Sequence, residues 1–226
     1  MPGATSPARP PGLPVPGRHG LLAADAARDL LVSAGITVVE TVRCTSPETA
    51  AAAAGRLGYP VVIKVDHPDL THKSDVGGVR LGLATAADAA SAAGELLALA
   101  DGAAVLVQPQ RRGVELAVGG IRDPDFGPVV MAGFGGVLIE TQRDVQLAVA
   151  PVDEAYAAVM LASLRGAAVF GGLRGRQPVD LGPVARLICR VSELMARYPG
   201  LAELDLNPVL AAPGGAVAVD WRIRVS

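Results

Sequence analysis

Residues 203–209 read Glu-Leu-Asp-Leu-Asn-Pro-Val, an alternation of polar and apolar side chains that is typical of a β-strand with one open face. Such a strand places Asp205 and Asn207 on one side and Leu204 and Leu206 on the other, because successive side chains point to opposite faces. The stretch therefore predicts a half-buried strand that carries oxygen ligands on its open face.

A second strand is predicted over residues 216–222, after a turn at residues 213–214. A turn centred between these two residues pairs Asn207 with Asp220, whereas a slip of one residue brings Trp221 to that position. In the first register, carboxylate and amide oxygens gather in one patch, which suits Mg²⁺ that bridges nucleotide phosphates. The alternative interpretation is a solvated hairpin face that binds no ligand.

Composition and charge exclude several classes of protein. The 226 residues are 50% hydrophobic and 19% charged, which is typical of a globular protein. A formal net charge of −2 argues against a generally basic nucleic-acid-binding protein. Two cysteines are too few for a disulfide framework or a Cys-rich zinc site, and no apolar run is long enough to span a membrane. We therefore expect a cytoplasmic protein with no nucleic-acid partner and no membrane segment.

Helix and strand patterns mix along the chain, so the expected fold class is α/β (α+β). Residues 1–20 contain six prolines and four glycines and predict a disordered tail before a folded region at residues 21–226. Within that region we expect two lobes with a boundary near residues 100–110. The clearest helix is predicted over residues 183–198, where apolar side chains recur at helical spacing.

A lysine ends the apolar stretch at residues 58–64, Gly-Tyr-Pro-Val-Val-Ile-Lys. A buried ammonium group is costly unless it is paired, and a bound phosphate would compensate for that cost. The pattern of residues fits equally a Lys64 that snorkels to solvent or lies on an edge strand.

A glycine-containing segment follows at residues 71–79, Thr-His-Lys-Ser-Asp-Val-Gly-Gly-Val. Gly77 and Gly78 allow backbone N–H groups to approach an anion closely, and His72 adds a nucleophilic nitrogen. The pattern indicates either a phosphate loop or an ordinary hairpin turn with an exposed histidine. The glycine cluster at residues 133–136 is only a weak signal for a binding loop, because a tight turn explains it almost as well.

Together, these segments resemble the ATP-grasp domain of ADP-forming acyl-CoA synthetases, the acetate–CoA ligase family, in which it forms the β subunit of two-subunit members. The resemblance lies in residues 58–64, 72–79, 122–131, 133–136 and 203–208, and it extends over nearly the whole chain outside the tail. It implies an ATP-grasp fold in which two α+β lobes sandwich the nucleotide.

The resemblance also implies a reaction, in which acyl-CoA, ADP and phosphate are converted reversibly to acid, CoA and ATP through a phosphohistidine. The implied cofactors are ATP/ADP and Mg²⁺. The implied partner is an α-type CoA-binding ligase subunit, through which the small-molecule acid and CoA reach this chain.

The same motifs imply roles in phosphate chemistry for four residues. His72 matches the histidine that receives the phosphoryl group, and Lys64 matches the lysine that contacts ATP phosphates. Gly77 and Gly78 belong to the phosphate loop.

Five further residues are implied to bind the nucleoside and the metal. Gln108 matches the hinge that meets adenine, although the family often has Gln-x-Met where this chain has Gln-Pro-Gln. Glu115 resembles the acidic residue that binds ribose. Asn207 and Asp220 match the Mg²⁺ ligands of the similar succinyl-CoA synthetase β subunit, and Asp205 is an added candidate.

Two other functions compete with the enzyme subunit. One is an ATP-binding regulatory module related to the ATP-grasp part of acetyltransferase fusions, and the other is an ATP-grasp carboxylate–amine ligase. The presence of His72 favours the acyl-CoA synthetase, because neither competitor needs a histidine carrier.

Overall fold

The structure, a computed structural model, describes residues 20–67, 70, 76–135, 144–172 and 177–226. Its contacts divide the chain into two compact units, Val39–Arg111 and a larger one that joins Met1–Val38 to Arg112–Ser226. The lobe boundary that the sequence suggests near residues 100–110 stays a prediction, and the predicted tail lies outside the described residues up to residue 19. No helix of the described ranges is long and apolar enough to cross a membrane.

The unit Val39–Arg111 is a four-stranded sheet with two helices. Its elements are β2 (Val42–Cys44), α2 (Pro47–Leu57), β3 (Val61–Asp66), β4 (Val79–Leu83), α3 (Ala86–Leu97) and β5 (Ala104–Pro109). The strands are antiparallel in the order β2-β5-β3-β4, so β3 is an interior strand.

Both helices of this unit begin at capping boxes. The Ser46 side chain accepts from the Thr49 backbone N–H, and the Thr49 side chain accepts from the N–H of Ser46. Thr85 and Asp88 repeat this arrangement at α3. Since each box satisfies two backbone N–H groups that lack helical partners, it defines where the helix begins. The small alanine side chains of α2 and α3 then pack against the valines and isoleucine of β3 and β5.

The larger unit is built on a seven-stranded antiparallel sheet in the order β1-β11-β9-β6-β7-β8, with β10 also paired to β9. Its strands are β1 (Gly20–Leu21), β6 (Val114–Asp123), β7 (Gly127–Phe134), β8 (Val145–Val149), β9 (Leu201–Ala212), β10 (Gly215–Ala218) and β11 (Arg222–Val225). Its helices are α1 (Ala24–Ser33), α4 (Glu154–Ala162) and α5 (Leu181–Arg197), with a 3₁₀ helix at Ala167–Gly171.

Helix α5 forms the centre of the larger core, as its spacing predicts. Its buried side chains recur every three or four residues and contact β6, β7 and β9. Leu116, Val118, Leu204 and Leu206 supply the facing layer from the sheet and are at most 1% exposed. One face of the sheet is therefore covered by helices.

The string Arg-Asp-Pro-Asp-Phe-Gly at residues 122–127 forms a fixed turn between β6 and β7. The Asp123 carboxylate accepts from the backbone N–H groups of Asp125 and Phe126 at 2.9 and 3.0 Å. Gly127 completes the turn at φ +75°, a conformation that other residues rarely adopt.

Arg122 joins this turn to the end of α5. Its Nη2 donates to the carbonyls of Met195 and Tyr198 at 2.7 and 3.0 Å. These carbonyls lie in the last turn of the helix, where carbonyls lack helical partners and a cation is favourable. Arg122 is therefore a C-terminal cap supplied by a distant strand.

The glycine cluster is explained by close packing. A Cβ at Gly133 would lie 2.6 Å from the Asp144 carbonyl oxygen, and one at Gly135 would lie 2.9 Å from the backbone of Leu116. Between them, Phe134 stacks on Phe170 with ring centroids 5.2 Å apart. These two glycines are needed where the backbone passes its neighbours; Gly136 lies outside the described residues.

Two predicted strands are shorter than expected. The pattern at residues 36–43 predicts a strand, but the ladder of β2 begins only at Val42, and Val38 instead forms an isolated bridge with Ala218. The strand predicted over residues 216–222 is divided into β10 and β11. Asp220 lies in the interruption, where its carboxylate accepts from the backbone N–H of Trp221, a local bond that competes with the ladder.

Arg122→Met should lower the free energy of unfolding by about 2 kcal/mol, because two charged hydrogen bonds to helix-terminal carbonyls are lost. Urea denaturation followed by circular dichroism measures this difference. Arg197→Met, at an exposed position in the last turn of α5, is the matched control and should change stability by much less. Equal effects in the two variants would show that the cap contributes nothing specific.

Candidate active site

A single register aligns the last three strands of the chain. Ala218 of β10 pairs with Val209 of β9, and Arg222 of β11 pairs with Asp205 of β9. From the first pair to the second, both sides of the ladder advance by four residues, so the antiparallel register is the same in both. Between these pairs, the alignment puts Asp220 opposite Asn207. The register expected from a turn centred at residues 213–214 is therefore the observed one, and the slip that would substitute Trp221 does not occur.

Burial confirms the predicted alternation over residues 204–207 of β9. Leu204 is 1% exposed and Leu206 is fully buried, while Asn207 is exposed and Asp205 is half-buried. The oxygen-bearing side chains consequently lie on the face away from the helices. The sheet thus presents the proposed metal ligands on its open side.

Asp205 lies in an environment that disfavours its charge. Burial raises the pKa of this carboxyl, the like charge of Glu203 raises it further, and the carboxylate of Asp220 adds a smaller effect in the same direction. The guanidinium of Arg222 opposes these effects in part. Because Asp205 experiences the charges of two neighbouring carboxylates, a cation bound here would relieve an existing repulsion.

Arg222 is a functional candidate that the sequence reasoning missed. Its Nη2 lies 3.9 Å from a carboxylate oxygen of Glu203, while its buried Nε has no hydrogen-bond partner in the described structure. An unsatisfied buried N–H is costly, and an anionic ligand such as a phosphate would satisfy it. The register that pairs Asn207 with Asp220 also pairs Arg222 with Asp205, so the signal was present in the sequence.

The oxygen atoms on this face fit a Mg²⁺ ion whose remaining ligands are waters and nucleotide phosphates. Within the described ranges, no three His, Cys, Asp or Glu side chains form a metal-binding group. Asp205, Asp220 and the amide of Asn207 instead supply a few hard oxygens. Mg²⁺ in nucleotide sites typically takes one or two carboxylates, with waters and phosphates completing the octahedron.

Glu115, the residue matched to ribose binding, lies on β6 of the same sheet. It is exposed and pairs with Leu210 of β9, and its backbone carbonyl accepts from the N–H of Gly135 at 2.8 Å. Its neighbour Leu116 is fully buried in the core, so alternation directs Glu115 to the open side.

In the unit Val39–Arg111, Lys64 and Gln108 share one face of the smaller sheet. Lys64 pairs with Leu106 while Gln108 pairs with Val62, so the two polar residues are diagonal neighbours on adjacent strands. Lys64 is only 7% exposed on an interior strand, which contradicts the edge-strand alternative. Gln108 is 3% exposed, and its amide nitrogen donates to the Thr41 hydroxyl at 3.1 Å.

The Gln-Pro-Gln departure from the family pattern is accommodated locally. Strand β5 continues through Pro109, and the backbone N–H of Gln110 donates to the Pro60 carbonyl at 2.9 Å. The Gln110 side chain accepts from the backbone N–H of Gly82 at 2.8 Å. Gln110 therefore ties the end of β5 to β4.

The end of the proposed phosphate loop is anchored at its glycines. Gly77 has φ +64°, and the Gly78 carbonyl accepts from the Val65 backbone N–H at 2.8 Å. The Arg80 guanidinium donates to the Gly77 carbonyl and to the Glu95 carboxylate of α3. His72 lies outside the described residues.

Asp205→Asn should raise the melting temperature near neutral pH in the absence of Mg²⁺. The pKa of Asp205 is raised in the folded state, so folding binds a proton and the carboxylate destabilises the protein once it ionises. The gain should therefore disappear as the pH falls toward the ordinary value of 3.8 and grow as the pH rises through the raised pKa.

Thermal melting across this pH range measures the effect, with Asp101→Asn at an exposed turn as the matched control. A variant that is less stable than wild type at neutral pH would contradict the assigned environment.

Comparisons with known proteins identify the family. A family model described as the ATP-grasp domain matches residues 16–225. The beta subunit of ADP-forming acetate–CoA ligase I from Pyrococcus furiosus is 35% identical over 205 residues, which cover 87% of this chain and 88% of that subunit. ADP-forming acetate–CoA ligase I from Archaeoglobus fulgidus is 39% identical over 202 residues, 86% of this chain but 29% of that protein.

A solved structure of dinucleotide-forming acetyl-coenzyme A synthetase 1 from Ca. Korarchaeum cryptofilum has the same fold. It aligns with a TM-score of 0.80 and 37% identity over 93% of this chain and 94% of that one. That complex contains coenzyme A and Mg-AMPPCP, and its phosphohistidine segment points towards the nucleotide binding site. The expected ATP-grasp fold and the expected relationship to ADP-forming acetate–CoA ligases are confirmed. This chain belongs to the ATP-grasp family and, within it, to the ATP-grasp subunits of ADP-forming acyl-CoA ligases.

Proposed function

We propose that this chain binds Mg·ATP and carries phosphate on His72, while a partner subunit in the cytoplasm supplies acid and CoA. The observation that carries the proposal is the register of β9, which sets Asn207 opposite Asp220 on the open face of the sheet, with Asp205 on the same side. This arrangement supports a metal–nucleotide site on the larger unit.

The division of labour is supported by the lengths of the relatives. The match extends over most of a relative named as a beta subunit, whereas it spans only 29% of a single-chain relative that is named as the ligase itself. Acyl and CoA chemistry would then belong to an α-type partner, and the identity of the acid would be set there.

Asn207 and Asp220 would hold Mg²⁺, with Asp205 as a further ligand. The ion supplies charge neutralisation for the phosphates of the nucleotide. Arg222 would donate its buried Nε–H to a phosphate oxygen, because that group has no other acceptor in the described structure. The carboxyl group of Asp205 would be held ionised by the cation despite its raised pKa.

Five further residues would position the nucleotide and its phosphates. Lys64 would offer a buried ammonium group to the phosphates, since a charge at 7% exposure on an interior strand is retained at a cost. Gln108 would meet the adenine ring, and Glu115 would accept from the ribose hydroxyls. Gly77 and Gly78 would present backbone N–H groups beside the carrier histidine.

His72 would perform the covalent step. A neutral imidazole nitrogen attacks the γ-phosphorus of ATP, a nitrogen–phosphorus bond forms, and the bond from that phosphorus to the bridging oxygen breaks with release of ADP. In the reverse direction ADP takes the phosphoryl group back and ATP leaves. An unperturbed imidazole has a pKa of about 6.5, so a large fraction is neutral and nucleophilic near neutral pH.

Asn207→Ala or Asp220→Ala should weaken Mg²⁺-dependent nucleotide binding by at least about tenfold, because even outer partners of a metal site typically contribute that much. Both positions lie outside the core, so the fold should persist. Titration calorimetry with ATP, with and without Mg²⁺, is the measurement, and Asp101→Ala is the control. Unchanged affinity in both variants would remove the metal assignment.

His72→Ala should still bind Mg·ATP but should lose nearly all ATP formation from acyl-CoA, ADP and phosphate in the presence of the partner subunit. Acid-labile phosphate on this chain should disappear in the same variant, while His67→Ala should retain both signals. Wild-type rates in His72→Ala would refute the carrier role. Acyl-CoA synthesis by the isolated wild-type chain would refute the need for a partner.

A further inference from the structure

The open face of the larger sheet carries an apolar region beyond the metal ligands. Ile121, Val129 and Val149 pair across β6, β7 and β8 in one row. Met131 and Leu147 form the next row. Because cross-strand partners lie on the same face, these side chains form one continuous surface.

These residues point away from the core. Ile121 is 53% exposed, Val149 is 55% exposed and Leu147 is 63% exposed. The alternate positions on β7, Val130 and Ala132, are at most 1% exposed and belong to the core. Strand β8 is also the last in the order of the described strands, so its outer side has no described strand beside it.

An exposed aromatic side chain lies on a hydrogen-bonded turn at the tip of the same hairpin. Phe126 is 69% exposed, and its backbone N–H is held by the Asp123 carboxylate. A large apolar side chain on a preorganised turn loses little entropy when it is buried by a partner, which is typical of interface anchors. The apolar face and the tip together are called the β6–β8 patch, and they consist of Ile121, Phe126, Val129, Met131, Leu147 and Val149.

The patch is continuous with the proposed metal site. Ile121 pairs with Glu203 on β9, and Gly119, which pairs with Met131, pairs on its other side with Asp205. Glu203 lies 3.4 Å from the Arg224 guanidinium, so the charge of Glu203 at this border is already paired. Covering this border would therefore cost less than covering an isolated charge.

We propose that the β6–β8 patch is the docking surface for the CoA-ligase partner subunit, an inference that rests on the proposed function. The single-chain relative has most of its length outside the region matched by this chain. A ligase part that exchanges phosphate with the proposed nucleotide site would have to approach the open face that carries the proposed metal ligands. A partner bound to the patch would lie next to Asp205 on the same face of the sheet. Exposed apolar area of this kind marks interaction sites in soluble proteins.

Leu147→Lys and Phe126→Ser test the assignment, because each removes exposed apolar contact without disturbing the core. The probe is the CoA-ligase subunit of the same organism that supports ADP-dependent ATP formation with wild type. Either variant should raise the partner concentration needed for half-maximal activity by about tenfold. Melting temperature, Mg·ATP affinity and the rate at saturating partner should match those of wild type.

Leu81→Lys is the matched control, since Leu81 is a strand leucine that is 67% exposed on the other unit. Its titration with the partner should match that of wild type. If wild type responds to the partner and all three variants titrate identically, the docking surface is refuted while the proposed function stands.

Two other outcomes also overturn the assignment. If no CoA-ligase subunit activates wild type, the proposed function fails and the docking surface fails with it. If sedimentation shows a wild-type dimer that Leu147→Lys converts to a monomer while the partner titration is unchanged, the patch is an interface between copies of this chain.

Discussion

The register of β9 against β10 and β11 is the constraint on which the proposed chemistry depends. It is the same on both sides of the interruption between the two short strands, so Asp220 lies opposite Asn207 although the ladder is broken there. The buried leucines of β9 enforce this alignment, because a shift of one residue would move Leu204 and Leu206 out of the core and the acidic residues into it. Hydrophobic burial on one face therefore positions oxygen ligands on the other.

The open face combines features that are unfavourable for an isolated folded chain. Asp205 has a raised pKa beside two other carboxylates, and Arg222 has a buried Nε without an acceptor in the described residues. Farther along the same strands, apolar side chains are exposed in two rows. The raised pKa and the unsatisfied Nε each cost stability, which a bound cation and a bound phosphate would relieve, while the apolar rows would be covered by the proposed partner. Their placement on one face suits an enzyme subunit that receives phosphate beside its partner.

Local sequence patterns predicted the helix at residues 183–198 and the open strand well. Helix α5 follows from the spacing of its apolar residues, which is a local signal. The interruption of the strand predicted at residues 216–222 was missed. It depends on a hydrogen bond from the Trp221 backbone N–H to the Asp220 carboxylate, which the alternation of polar and apolar residues does not reveal. The need for glycine at positions 133 and 135 could not be predicted from the neighbouring sequence, because the atoms that crowd these positions belong to Asp144 and Leu116.

The candidate site was predictable only where a local pattern or a family motif pointed to it. In the motif at residues 122–131, Arg122 caps the end of α5 and Asp123 holds the turn between β6 and β7. The same motif places Phe126 at an exposed tip. Whether Lys64 lay on an interior strand depended on the order of strands, which sequence spacing does not give.

Paramagnetic relaxation measured with Mn²⁺ in place of Mg²⁺, in the presence of ATP, tests the metal site on β9 most directly. If the ion binds there, the backbone amide signals of residues 205–207, 209 and 218–222 should broaden first, and Asp220→Ala should abolish the effect. Broadening centred on another part of the chain, with these signals unaffected, would contradict it.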